Sequence, residues 1–142
     1  MIIDTTYILP LAAIDVKPDL LRAIIEDKVK LKVKLTDLKL SLISLFELQA
    51  KASKLNIPSS NIIKAINTIL KTFKIIPFYE DNIIKRAYEI RKVINDYIDC
   101  IVVSTAIVLH ENLITEDTEI IAAKEFILKK YGIKIFSYKD VT

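Results

Sequence analysis

Met1-Ile2-Ile3-Asp4-Thr5-Thr6-Tyr7-Ile8-Leu9 opens the chain. Three apolar residues run into an aspartate and two threonines, and apolar residues then resume. This reads as a short buried strand ending at a helix start, with the aspartate at the junction. In an open α/β sheet that junction is the carboxyl end of a strand, where such folds place their ligands. An aspartate there is equally suited to capping the helix. Leu113-Ile114-Thr115-Glu116-Asp117 repeats the arrangement late in the chain, with a strand running into acids.

Working outward, helical and strand patterns alternate. Tyr7 to Ala13 reads as helical, and Pro18 restarts a helix through Asp27. Lys28-Val29-Lys30-Leu31-Lys32-Val33-Lys34-Leu35 alternates strictly. It predicts a half-buried strand with a lysine face, forming a hairpin through Thr36-Asp37 with Leu38 to Ser41. Such a row either guards a sheet edge or touches RNA phosphates. Ser44 introduces a helix with Phe46, Leu48 and Ala52 inward. Ser59 or Ser60 caps the next, whose Ile62, Ile63, Ile66, Ile69 and Leu70 recur at helical spacing. Lys74 to Phe78 reads as a strand and Glu80 to Ile94 as an amphipathic helix. Asp96 to Leu109 is apolar nearly all round and is expected in the middle of the fold. Thr118 to Lys130 is helical, Gly132 ends that helix, and Ile133 to Tyr138 is a last strand. The expected fold is α/β, a three-layer α/β/α arrangement with a mainly parallel central sheet.

The 142 residues, 52% of them apolar, suffice for one sizeable core and are treated as one domain, 1–142. The 27% charged fraction and the lack of low-complexity segments argue against disorder. A net charge of +3 is too small to imply a nucleic-acid partner by itself, so function must come from a site. The single cysteine, Cys100, excludes an internal disulfide and a thiolate metal cluster, and fits a reducing, cytoplasmic setting. No run approaches the roughly twenty uncharged apolar residues of a bilayer span, and the opening segment makes a poor signal peptide.

Four acids stand out by their settings. Asp4 and Asp117 follow strands. Glu47 lies on the apolar side of its helix, and Asp99 sits in Tyr97-Ile98-Asp99-Cys100-Ile101-Val102-Val103, where an ionised group needs a partner. Asp96, at the start of the same helix, also suits an N-cap. Were these acids to converge, each close pair would repel by several kcal/mol at an effective dielectric of about 20. The chain offers no arginine cluster to offset that, with Arg22, Arg86 and Arg91 scattered and a lone His110. All-oxygen ligands suit Mg2+ or Mn2+, and the chemistry that follows is metal-assisted attack of water on a phosphodiester.

On these residues the chain resembles the PIN-domain family of metal-dependent ribonucleases, VapC-type toxins above all. Ile2 to Leu9 looks like the family's opening aspartate motif, and Ser44-Leu45-Phe46-Glu47-Leu48 like its helix glutamate. Asp99 to Ala106 is similar to the third aspartate with its small-residue helix, and Leu113 to Asp117 to the fourth motif. The resemblance implies that Asp4, Glu47, Asp99 and Asp117 hold Mg2+ or Mn2+ and carry catalysis. Thr115 would support Asp117 by hydrogen bonding, and Asp96 would be an accessory acid. Thr5, Thr6 and Glu116 would be supporting neighbours, with Glu116 also open as the fourth ligand in place of Asp117. It further implies cleavage of single-stranded RNA, a homodimer, and a small antitoxin protein covering the site. Two other readings stay open: a non-catalytic interaction module on this fold, and a DNA-directed nuclease, since carboxylates do not read the 2′-hydroxyl.

Overall fold

The computed structural model describes residues 1–142. Five short strands form one sheet in the order β3-β2-β1-β4-β5: β1 Ile2–Ile3, β2 Lys39–Ser41, β3 Lys74–Ile76, β4 Leu113–Ile114 and β5 Ile135–Phe136. Every pairing is parallel, so the sheet is wholly parallel. The chain leaves β1 for β2 and β3 on one side and returns from β3 to β4 on the other. The order therefore reverses between β1 and β4, the crevice where open α/β sheets bind ligands.

Alternation along each strand builds the layers. Ile2 and Leu113 turn to one face, where they pack with Ile83, Ile90, Val103, Ile107 and Ile127. The helices there are α4 Asp81–Ile90, α5 Tyr97–Val108, α6 Thr118–Ala122 and α7 Lys124–Tyr131. Ile3 and Ile114 turn to the other, against Tyr7, Leu20, Leu40, Leu48 and Ile69. That face carries a 3-10 helix at Thr5–Ala12, α1 Leu20–Ile25, α2 Leu42–Lys54, α3 Ser59–Thr72 and the terminal α8 Tyr138–Val141. The three-layer α/β/α architecture expected from the sequence is present.

The lysine-rich hairpin is not. Lys28 to Leu35 joins no strand; it is irregular chain, bent at Lys30 and Leu31, that ends in a 3-10 turn at Leu35–Asp37. Leu38 to Ser41 does contribute a strand, β2, but β1 and β3 already pair with both of its edges. No edge remains for an antiparallel partner. The alternation was real in another sense: Val29, Leu31, Val33 and Leu35 pack against the core while Lys28, Lys30, Lys32 and Lys34 stay exposed. Those lysines guard no sheet edge.

Other boundaries differ from those expected. The helix expected from Tyr7 to Ala13 is a 3-10 helix that holds Pro10 and spans Thr5–Ala12. Ser41, not Ser44, caps α2, and Pro58, not Ser59 or Ser60, precedes α3. Phe46, Ile63 and Leu70 face solvent rather than the core, leaving Leu48, Ala52, Ala65 and Ile69 inside. The helix from Glu80 stops at Ile90, short of Ile94. The helix expected from Thr118 to Lys130 is two, α6 and α7, meeting at Ala123. The last strand is only Ile135–Phe136, and Tyr138 already belongs to a helix. Gly132 caps α7 with φ +76° as expected. With no second glycine in the chain, Ala13, Asp27, Asn56 and His110 take positive φ just past other helices.

Candidate active site

β1 extends its ladder one step beyond Ile3: Asp4 N–H donates to Ile114 O at 3.3 Å, which sets Asp4 beside Thr115 at the end of β4. The Asp4 carboxylate accepts three hydrogen bonds at this junction. Its Oδ1 accepts the Thr6 N–H at 2.9 Å, capping the 3-10 helix; its Oδ2 accepts the Thr115 hydroxyl and, at 3.3 Å, the Glu116 N–H. Burial pushes the Asp4 carboxyl up to about 6, against the pull of these donors.

Asp117 caps α6, accepting the Ile120 N–H at 2.9 Å, and its own N–H donates to Thr115 Oγ1 at 3.0 Å. One threonine thus ties two acids together. Glu47 sits in the second turn of α2 and accepts the Thr5 hydroxyl at 2.5 Å. Asp96 caps α5 through the N–H groups of Ile98 and Asp99 at 2.9 and 3.2 Å.

The Asp99 carboxylate accepts no hydrogen bond from the protein. Its carboxyl is pushed up to about 7, first by burial, then by the charges of Asp117, Asp96, Glu47 and Asp4 in that order. Residues drawn from four distant parts of the chain therefore act on one side chain at the β1/β4 switch point. None of the five ion pairs in the molecule involves any of these acids.

A divalent cation fits this donor set chemically, since every available ligand atom is a carboxylate oxygen and no protein cation competes for it. The acids are not drawn into a closed cage: no three His, Cys, Asp or Glu side chains stand close enough to ligate one ion together. Helix capping and the threonine bonds hold Asp4, Asp96 and Asp117 in place. Mg2+ is ordinarily bound through one or two carboxylates with waters completing its shell, so an open arrangement of this kind suits it.

The PIN domain family model matches residues 1–126. The chain belongs to the PIN domain family. No curated protein matches the sequence. Among solved structures, FitAcB from Neisseria gonorrhoeae is similar to this PIN domain with a TM-score of 0.65 and 18% identity, over 97% of each chain. VapBC2 from Rickettsia felis, bound to a fragment of its promoter DNA, gives 0.63 and 22% over 96% of each chain. A toxin-antitoxin complex from Klebsiella pneumoniae gives 0.57 and 23%, over 82% of this chain and 86% of that one. At such identities these likenesses speak for the fold.

In this PIN domain the two acids after β4 have different settings. The Glu116 carboxylate turns away to accept the Tyr7 hydroxyl and the Tyr138 N–H, both at 2.6 Å, while Asp117 exerts the largest charge effect on Asp99. Thr115 does bond Asp117, through the backbone, and bonds Asp4 as well. Tyr7 is not marked by the sequence pattern as part of the site. It is fully buried, and burial together with Glu116 and Asp4 raises its hydroxyl above the ordinary range, so it stays a donor. The available signal was a tyrosine inside an apolar run, because a buried phenol needs a partner.

Proposed function

We propose that this PIN domain is a metal-dependent endoribonuclease of the toxin type, cleaving phosphodiesters of single-stranded RNA. The observation that carries the reading is Asp99, which stands among four other acids with no protein cation and no protein hydrogen-bond donor on its carboxylate. Asp4, Glu47, Asp99 and Asp117 would hold Mg2+ or Mn2+, which when bound supplies charge neutralisation and a water acidic enough to attack phosphorus.

The chain's own residues prepare the site. Thr115, Thr6 and the Glu116 N–H orient both oxygens of Asp4 before anything binds. Thr5 fixes Oε1 of Glu47. Asp117 is locked by its cap and by Thr115. Tyr7 draws the Glu116 carboxylate out of the cluster, limiting the negative charge that faces a substrate phosphate. Asp96 contributes charge to Asp99 from the helix start and acts as an accessory acid.

The reading carries a homodimer, a cytoplasmic location and a small antitoxin protein over the acids. The similar structure described as a toxin-antitoxin complex supports the antitoxin. A second reading, an interaction module without catalysis, draws on a specific observation: Asp4, Asp96 and Asp117 all cap helices, and no trio is set for direct ligation.

Thermal unfolding with and without Mn2+, and cleavage of single-stranded RNA and DNA in parallel, separate these. The nuclease reading expects Mn2+ to raise the midpoint and Asp4→Asn to abolish RNA cleavage. Undiminished cleavage by that variant defeats it, and cleavage of DNA alone transfers the chemistry to the other substrate.

A further inference from the structure

At the far end of α5 from the acids, α4, α7 and the turn after α5 enclose a cleft of about 500 Å³. Asp99 lies in the first turn of α5 and Val108 ends it, a separation of about 13 Å at 1.5 Å per residue. Lys85 and Arg86 enter the cleft from α4, Lys130 and Tyr131 from α7, and His110 from the turn. One carboxylate, Glu89, opposes these cations. It binds Arg86 Nη1 at 2.7 Å and accepts the Tyr131 hydroxyl at 3.4 Å. Lys85 and Lys130 have no acidic partner.

Aromatic rings hold two of the cations. The Arg86 guanidinium lies 4.9 Å from the Tyr131 ring centroid, and Lys130 Nζ lies 5.5 Å from the rings of both Tyr131 and Phe126. A cation seated on a ring keeps N–H groups for an anion and loses less freedom on binding one. The cleft is also of the size that small-molecule groups occupy, roughly 300 to 1,000 Å³. The exposed lysines of the Lys28 to Lys34 segment lack any such seating.

The surface between this cleft and the acids is organised too. Lys85 and Tyr88 lie three residues apart and are neighbours on α4, and Arg91 follows at its C-cap. Tyr88 is 69% exposed and packs edge-to-face on Tyr97, with ring centroids 5.7 Å apart. Tyr97 follows Asp96 directly. Cations for a backbone and an open ring for a base are what a single strand requires.

We propose that this cleft binds a backbone phosphate of the same single-stranded nucleic acid whose scissile bond lies at the acids, with Tyr88 stacking on a base between the two points. The proposal rests on reading the acids as a nuclease site.

Fluorescence anisotropy of a short labelled single-stranded RNA, with the full chain in EDTA, tests it without reading cleavage. The result therefore stands apart from whether Asp4→Asn abolishes cleavage. The double variant Arg86→Gln/Lys130→Gln is expected to weaken binding at least about tenfold and to flatten the slope of log affinity against log salt by roughly one. Lys85→Gln, at an exposed position, is expected to flatten it by a smaller step, and Tyr88→Ala to cost several-fold with the slope unchanged. Wild-type affinity and slope in the double variant and in Lys85→Gln would overturn the proposal. AMP binding as tightly as the RNA would make this a free-nucleotide site and overturn it, and so would equal competition by a poly-glutamate peptide, which would make it a protein-docking site.

Discussion

At the amino end of the strands, Glu111 is shared between the Met1 ammonium and Lys39 Nζ. At the carboxyl end, Asp99 accepts no hydrogen bond from the protein and faces four other acids. For Glu111 desolvation is the largest single influence and works upward, yet Lys39 and the ammonium together hold its carboxyl below the usual range. For Asp99 desolvation and neighbouring charge act in the same direction, and the carboxyl rises to about 7. The two groups lie at opposite ends of one sheet some three residues long. The first is neutralised from within the chain; the second is not. The fold pairs the first carboxylate with two cations of its own and gives the second none.

The largest effect that would test this contrast is on cleavage. Asp99→Asn is expected to lower Mn2+-dependent RNA cleavage by more than about a hundredfold, beyond the tenfold to hundredfold typical of outer-shell partners. Glu111→Gln should leave cleavage unchanged. Equal loss in both variants would erase the distinction between the two ends.

Thr115→Val keeps the shape but removes the hydroxyl that serves Asp4 and Asp117 at once. Metal affinity, read by Mn2+ titration, should fall about tenfold to hundredfold, as for an outer-shell donor. Retained affinity would mean that the threonine serves only the backbone turn.

Denaturant unfolding without metal should separate the ends by sign. Glu111→Ala strands two cations and is expected to destabilise by about 1 to 2 kcal/mol. Asp99→Asn, which removes a crowded charge, is expected to stabilise. Destabilisation by both would show that Asp99 has a partner in the folded protein after all.

The pH dependence of stability runs through the same acids. Folded Asp99 and Asp4 carry carboxyls raised to about 7 and about 6, so between pH 4 and 7 the folded chain binds more protons than the unfolded chain. The metal-free protein should therefore lose stability as pH rises through that window. Glu111, held low, works the other way: its contribution is present above its unfolded value and is lost as pH falls below it. Asp99→Asn should flatten the decline toward pH 7, and saturating Mn2+ should reverse it. A metal-free midpoint that climbs steadily from pH 4 to 7 would contradict the assignment of unpaired acids.

Periodicity and the strand-to-acid junctions determined a good deal on their own. Ile2-Ile3-Asp4 and Leu113-Ile114-Thr115 announce buried parallel strands because a strand covered on both faces must be apolar at every position. Asp4, Asp96 and Asp117 announce helix starts because the first N–H groups of a helix need acceptors. Nothing local, however, distinguishes a cap from a cap that also faces another acid. Only the strand order, which sets β1 beside β4 across a gap of more than a hundred residues, brought Asp4 to Thr115 and Asp117 to Asp99. The same order filled both edges of β2 and left the lysine alternation as an irregular strap rather than a hairpin strand. Side-chain pattern reports which face is buried, and it reports this correctly at Val29, Leu31, Val33 and Leu35. Hydrogen-bond partnership and charge crowding depend on which segments become neighbours, and that is a property of the whole folded chain.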